Sequence, residues 1–285
     1  MKITWGERYP DPAALWREVE CMVGAYVDAL LWKVPESELA GIYFKGSAQK
    51  RWDSPLDYVP ELSDVDVHVL LDDDEAEAKY LGTLEPALEL GAAAEAAYFG
   101  KVPQPVHVPR PQLLVLNSVI SEPDFMPTPA EAITVLRGRD YPQGAPLEPE
   151  DIKELDAKRL SGEAEYLARF PMQVIDKPAK YLWEALRGMV WRVSPTAPRV
   201  LYLLGATFGE VWTANRTRVV TLLEDLGERD FAARYSEFYL SGWDYFLSGY
   251  TDFDAARRAL LAGIDVLRRG VEIGEAWGTS GSRAP

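Results

Sequence analysis

Cysteine, histidine and asparagine are nearly missing from this chain: 285 residues hold one Cys and two His, and Asn occurs twice, at 117 and 215. With Cys21 alone no internal disulfide can form, which fits a reducing compartment. Cys21 stands among Val19, Met22 and Val23, where a buried, inert thiol is expected rather than a nucleophile. Few Asn hint at a thermophilic source. No apolar run reaches the length of a membrane span. The opening MKITWGERYPDP lacks the basic-then-apolar layout of a signal peptide, so a cytoplasmic location is expected. Positive charge is scarce too, with 30 Lys and Arg against 45 Asp and Glu and a net charge of −15. The deficit lies in residues 1–150, where 12 basic residues meet 26 acidic ones, while 151–285 carry 18 and 19. Such a field disfavours nucleic-acid backbones and favours a cationic partner. Ordinary solubility charge accounts for part of it, and Asp72-Asp73-Asp74-Glu75 reads as a solvated helix start.

Apolar residues make up 47% of the chain, enough for a substantial core in one large or two ordinary domains. Residues 11–33 place Leu15, Val19, Met22, Val23, Tyr26 and Leu30 at helical spacing behind an Asp11-Pro12 start. Strands are expected at 40–45 and 64–71, and one helix over 74–99, ended by Gly100. Val106-His107-Val108 and Leu113 to Leu116 read as two short strands or one kinked strand, with Pro109 and Pro111 arguing for an edge position or a bulge. A further strand is expected at 132–136. Pro142 to Pro146 reads as a linker. Beyond it the periodicity is helical, at 149–170, 177–193, 197–213, 215–227, 229–248 and 253–276. The expected class is α+β: a mixed sheet with flanking helices over 1–146, then an all-α bundle over 147–285 whose tail, 278–285, is disordered.

The stretch Tyr43 to Leu71 carries the chemistry. An apolar run ends in Gly46-Ser47, and a polar loop leads to Ser63-Asp64-Val65-Asp66 at the head of a second run. In an extended strand Asp64 and Asp66 project from one face, with Val65, Val67 and Val69 on the other. Two carboxylates one strand repeat apart can share a divalent ion, and hard oxygen ligands favour Mg²⁺ or Mn²⁺. A Gly-Ser turn lets backbone N–H groups approach phosphate oxygens. Carboxylates beside a phosphate cradle are parts that nucleotidyl transfer needs.

Gly46-Ser47 followed by Ser63-Asp64-Val65-Asp66-Val67 resembles the signature of the nucleotidyltransferase superfamily that includes DNA polymerase beta. Within it the chain looks most like aminoglycoside nucleotidyltransferases and related small bacterial enzymes. The 48–63 segment exceeds the usual family spacing and, with Trp52, Pro55 and Pro60, implies a longer loop over the site. The resemblance implies that Asp64 and Asp66 hold the metal while Gly46, Ser47 and the neighbouring Ser63 address the triphosphate of ATP. Lys45, Lys50 and Arg51 flank the turn and add charge there. A third carboxylate is expected on a later strand, yet the matching segment holds His107. Histidine can serve as a base near neutral pH, with His68, on the same strand face as the two aspartates, as its partner; Glu122, Asp124 and Asp140 are alternative acids. In the bundle, Lys180 is the expected cation over the triphosphate, unless it forms an i,i+4 pair with Glu184. The cluster Trp183, Glu184, Trp212, Trp243, Asp244 and Tyr245 offers rings and carboxylates to a cationic acceptor, or else is core.

The implied activity is transfer of a nucleoside monophosphate, AMP from ATP, onto a hydroxyl of a small cationic acceptor such as an aminoglycoside. Two rivals stand beside it: modification of a protein or tRNA, as in toxin–antitoxin enzymes, and a degenerate member that binds nucleotide without turnover.

Overall fold

Asp11 begins the first helix, its carboxylate accepting from the Ala13 N–H at 3.0 Å, with Pro12 at the first helical position. The computed structural model describes residues 3–122, 125–143 and 147–281; Asp124, the 144–146 part of the linker and the 282–285 end of the tail lie outside the described residues. Helix α1 (Pro12–Lys33) buries Leu15, Val19, Met22, Val23 and Leu30, the stripe its spacing marks. Cys21 is partly exposed at the margin of that packing.

The chain divides into two compact units, one of Thr4–Trp52 and Ser63–Pro146, the other of Met1–Ile3, Asp53–Leu62 and Leu147–Pro285. The first unit is α+β. Its strands are β1 (Leu39–Lys45), β2 (Asp64–Leu71), β3 (Arg110–Val115) and β4 (Ile133–Gly138), in the order β3-β2-β1-β4. β1 runs antiparallel to both β2 and β4, while β2 and β3 are parallel, so the sheet is mixed. Pro111 sits in the edge strand β3, where a missing N–H costs no ladder bond on the open side. Ile42, Phe44, Val65, Val67 and Val69 are buried, and α1 packs against β2. On the opposite face Tyr43 and Leu70 form a smaller core with Leu116 and Tyr141.

Three boundaries differ from expectation in this unit. The 74–99 helix is two, α2 (Asp74–Tyr80) and α3 (Leu84–Lys101). Gly82 lies in the break, where a Cβ would fall 2.8 Å from the Ala78 Cα. Val106-His107-Val108 is not a strand, and β3 begins only at Arg110. The N–H groups of Val106 and His107 go to the Glu18 carboxylate instead of a sheet ladder.

The second unit is helical: α4 (Pro149–Val174), α5 (Leu182–Leu203), α6 (Phe208–Thr213), α7 (Arg216–Asp225), α8 (Arg229–Leu247) and α9 (Phe253–Gly281). α9 packs against α4, α5 and α8. Close approach to α4 requires Gly274, where a Cβ would lie 2.8 Å from the Ala157 carbonyl oxygen. α5 runs through Pro195 and Pro198 and spans the break expected between the helices at 177–193 and 197–213. Each proline removes one helical hydrogen bond, but Val193, Ala197, Val200 and Leu201 are fully buried and hold the helix together. α9 continues to Gly281, so the expected disorder from 278 does not begin there.

The long segment after the Gly-Ser turn does not stay with the sheet. Asp53–Leu62 belongs to the helical unit. There Asp57, 1% exposed, accepts from the N–H groups of Asp53 (2.8 Å), Ser54 (2.9 Å) and Thr217 (2.8 Å) and from the Thr217 hydroxyl (2.7 Å). Arg216 donates to the carbonyls of Leu56 and Asp57, and the Trp243 indole N–H to the Pro55 carbonyl at 2.7 Å. Asp57→Ala strands three backbone N–H donors and the Thr217 hydroxyl, and each unsatisfied buried donor costs about 1–3 kcal/mol. Urea unfolding followed by far-UV circular dichroism is expected to show a loss of at least about 3 kcal/mol, whereas a loss below about 1 kcal/mol would contradict this network's importance.

Candidate functional site

β1 ends at Lys45, directly across from Asp66 on β2, and the chain then turns through Gly46 with φ of +85°. That backbone region favours glycine. A second constraint is tighter still. A Cβ on Gly46 would lie 1.8 Å from Asp66 Oδ2 and 2.9 Å from its carboxyl carbon. The turn and the carboxylate therefore share space that any other residue would fill. The Gly46 carbonyl accepts from the Gln49 N–H at 3.3 Å, and the Gln49 side chain donates to the Thr134 hydroxyl at 3.1 Å, tying the turn to the start of β4. Ser47, half-buried, follows in the same turn.

Strand alternation places Asp64, Asp66 and His68 on one face of β2, and the cross-strand pairs Tyr43 with His68 and Lys45 with Asp66 share it. Burial pushes the Lys45 ammonium below its ordinary value, and Asp66 opposes that shift. Burial likewise raises the Tyr141 hydroxyl, helped by Tyr43 and Asp66. His68 Nδ1 lies 3.0 Å from the Tyr141 hydroxyl. Burial, then the Lys45 charge, depress the His68 imidazole to about 3, so its ring is neutral at physiological pH. His68 is thus placed toward Tyr141 and away from proton transfer near neutrality.

Asp64, 8% exposed, lies opposite Arg110 in the parallel register, with Arg110 Nε 3.6 Å from Asp64 Oδ1. Gln112 is the residue opposite Asp66. The positions on β3 facing the aspartate pair are therefore a cation and an amide. Among the described residues no group of three or more His, Cys, Asp or Glu could hold a metal ion. Magnesium is commonly bound by one or two carboxylates plus substrate phosphates. The Asp64–Asp66 pair supplies two carboxylates on one strand face, with Asp66 against the Gly46 turn, a donor set that suits a metal arriving with a triphosphate and not a cage of protein ligands.

His107 is elsewhere. Its side chain is 0% exposed, and its Nδ1 lies 2.7 Å from Glu18 Oε2 on α1. Burial alone would raise the Glu18 carboxyl; the bonds from His107 and the Val106 N–H hold it below its ordinary value. Tyr98 adds a bond to the His107 carbonyl. A ring enclosed in this way presents no surface to a substrate hydroxyl, and its role is to fix the approach to β3. Glu122 and Asp140 are exposed, and neither joins a metal-binding group. Lys50 is half-buried and Arg51 exposed just after the turn, and Ser63 is buried beside Asp64.

The remaining expected residues lie in the helical unit. Trp243 and Tyr245 are 0% exposed, and Trp243 serves the loop contact at Pro55, so it is core and not an acceptor surface. Trp183 packs its ring on Tyr245 and Tyr250. Glu184 pairs with Lys177 at 2.8 Å and not with Lys180. Lys180 is exposed, over the Tyr181 ring at 5.4 Å. Asp244 lies 3.6 Å from Arg258. Arg110, Glu18 and Tyr141 are the residues that sequence reading missed; only Arg110 offered a signal, as the one cation entering the edge strand.

No family model matches the chain, and no curated protein or solved structure matches it. No helix among the described residues is long and apolar enough to cross a membrane.

Two outcomes follow from this geometry. Gly46→Ala is expected to cost more than about 1 kcal/mol in urea unfolding, because alanine meets both the positive φ and Asp66; unchanged stability would contradict the close approach. His68 favours the folded state while neutral, so its contribution is complete above 6.5 and is lost as pH falls toward about 3. Thermal unfolding from pH 7 to 3 is expected to show a flatter decline for His68→Gln than for the natural protein, and identical profiles would count against a buried neutral imidazole.

Proposed function

We propose that the protein is a divalent-metal-dependent nucleotidyltransferase that moves a nucleoside monophosphate, AMP from ATP in the simplest case, onto a hydroxyl of a small cationic acceptor such as an aminoglycoside. The observation that carries this reading is the contact of the Asp66 carboxylate with the Cβ-free turn at Gly46, one strand repeat from Asp64. Asp64 and Asp66 would hold Mg²⁺ or Mn²⁺, which when bound supplies positive charge to the triphosphate. The N–H groups of the turn and the Ser47 hydroxyl are suited to binding phosphate oxygens, and Lys45, beside Asp66, adds a fixed cation. Lys50 and Arg51 extend that positive margin.

The acceptor's charge is argued from the acidic excess of residues 1–150. Within the helical unit Trp183, Glu184 and Asp244 keep exposed surface, and Trp243 does not. A second reading, nucleotide binding without turnover, is favoured by one observation: β3 sets Arg110 and Gln112 opposite the aspartates where a third acid would complete the catalytic set.

A thermal-shift series with ATP and Mg²⁺ tests the proposal. At a hundredfold excess over Kd a rise of about 5 °C is expected, abolished by Asp66→Asn, and pyrophosphate should appear once an aminoglycoside acceptor is added. Binding without release of pyrophosphate from ATP, whichever acceptor is added, supports the second reading. No shift with any nucleoside triphosphate contradicts both.

A further inference from the structure

A positive side chain stands where this site has use for a negative one. Arg110 enters at the head of β3, and the parallel register fixes its backbone beside Asp64. Its own approach is rigid. Pro109 and Pro111 flank it, and the Glu18 carboxylate anchors the N–H groups of Val106 and His107 just upstream. The guanidinium reaches within 3.6 Å of the Asp64 carboxylate, and while Asp64 is only 8% exposed, the Arg110 side chain keeps 35% of its surface. One partner is thus enclosed and needs a counter-charge; the other has room to turn away.

We propose that Arg110 is a charge gate on the Asp64–Asp66 pair, which makes the site accept its metal together with a triphosphate in preference to the free ion. This rests on the nucleotidyltransferase reading above. A free divalent cation must displace a guanidinium from a nearly enclosed carboxylate, leaving two positive charges beside one another. A metal–triphosphate complex brings its own anion. Guanidinium is permanently charged and its planar fork matches phosphate oxygens, so the displaced Arg110 exchanges one anionic partner for another. The gate therefore responds to the ligand's charge. Arg110 is a positioning residue in the empty site and a phosphate contact in the filled one.

The test is a titration of Mn²⁺, read as free ion by electron paramagnetic resonance, with and without a non-hydrolysable ATP analogue. The proteins are the natural chain, Arg110→Gln, Arg110→Met, Arg110→Lys and the double variant Arg110→Gln/Asp64→Asn. Without nucleotide, the Gln and Met variants are expected to bind Mn²⁺ about three- to tenfold more tightly than the natural chain, the range for a partly exposed ion pair. Arg110→Lys should stay near the natural affinity, and the double variant should lose the gain. In the natural chain the nucleotide should raise protein-bound Mn²⁺ beyond the sum of the separate bindings. Equal or weaker Mn²⁺ binding by both neutral variants overturns the gate while leaving the parent reading intact, and so does an absence of nucleotide synergy in the natural chain, a result that needs no variant to fold. Failure of every protein to bind Mn²⁺, with nucleotide or without, overturns the parent reading and the gate with it.

Discussion

One missing atom organises this site. Because Gly46 has no Cβ, the turn after β1 can close against the Asp66 carboxylate, and a methyl group there would sit 1.8 Å from Oδ2. The positive φ and the close approach reinforce each other, since only glycine meets both. The β1–β2 register follows from the same place: Lys45 faces Asp66, Tyr43 faces His68, and the buried valines of β2 turn to the opposite side, where α1 packs. A one-residue slip would send both aspartates into that apolar layer. Burial of Val65, Val67 and Val69 thus holds the carboxylates in place as much as any polar contact does.

The two halves of the signature are joined by a segment with a different allegiance. Trp52 and Ser63 belong with the sheet, yet the ten residues between them belong with the helices. Asp57 and Arg216 hold that segment through its backbone, which makes its path independent of most of its side chains. Both ends of the tethered segment feed the site, one from the Gly-Ser turn and one into Asp64. Arg216 and Thr217, far along the sequence, thus fix the path of residues 53–62 within the helical unit.

Features with short-range causes were legible in the sequence. The α+β class, the Asp11 cap and the two central strands follow from alternation, spacing and local chemistry that a window of a few residues contains. The edge position of β3 was legible from Pro111. What failed depended on distant partners. Val106-His107-Val108 has the composition of a strand, but Glu18, 89 positions away from His107, captures its backbone donors and its imidazole. Trp243 and Asp244 are neighbours in sequence on one helix, and spacing alone does not say that the indole points inward to Pro55 while the carboxylate meets Arg258. The charge of Arg110 at the head of the edge strand could be read, but not its place beside Asp64, because parallel register is set by the whole βαβ path and not by the strand itself. The break expected between 193 and 197 is absent because buried apolar contacts outweigh the two hydrogen bonds that Pro195 and Pro198 remove.

The central claim is that Asp64 and Asp66 together hold a metal–triphosphate against the Gly46-Ser47 turn. A crystal structure grown with Mn²⁺ and a non-hydrolysable ATP analogue, with data at the manganese absorption edge, examines it most directly. The account requires one anomalous peak at coordination distance of about 2.0–2.3 Å from oxygens of both aspartates, with phosphate oxygens meeting the turn. Manganese bound elsewhere, or phosphates lying away from Gly46 and Ser47, would contradict it.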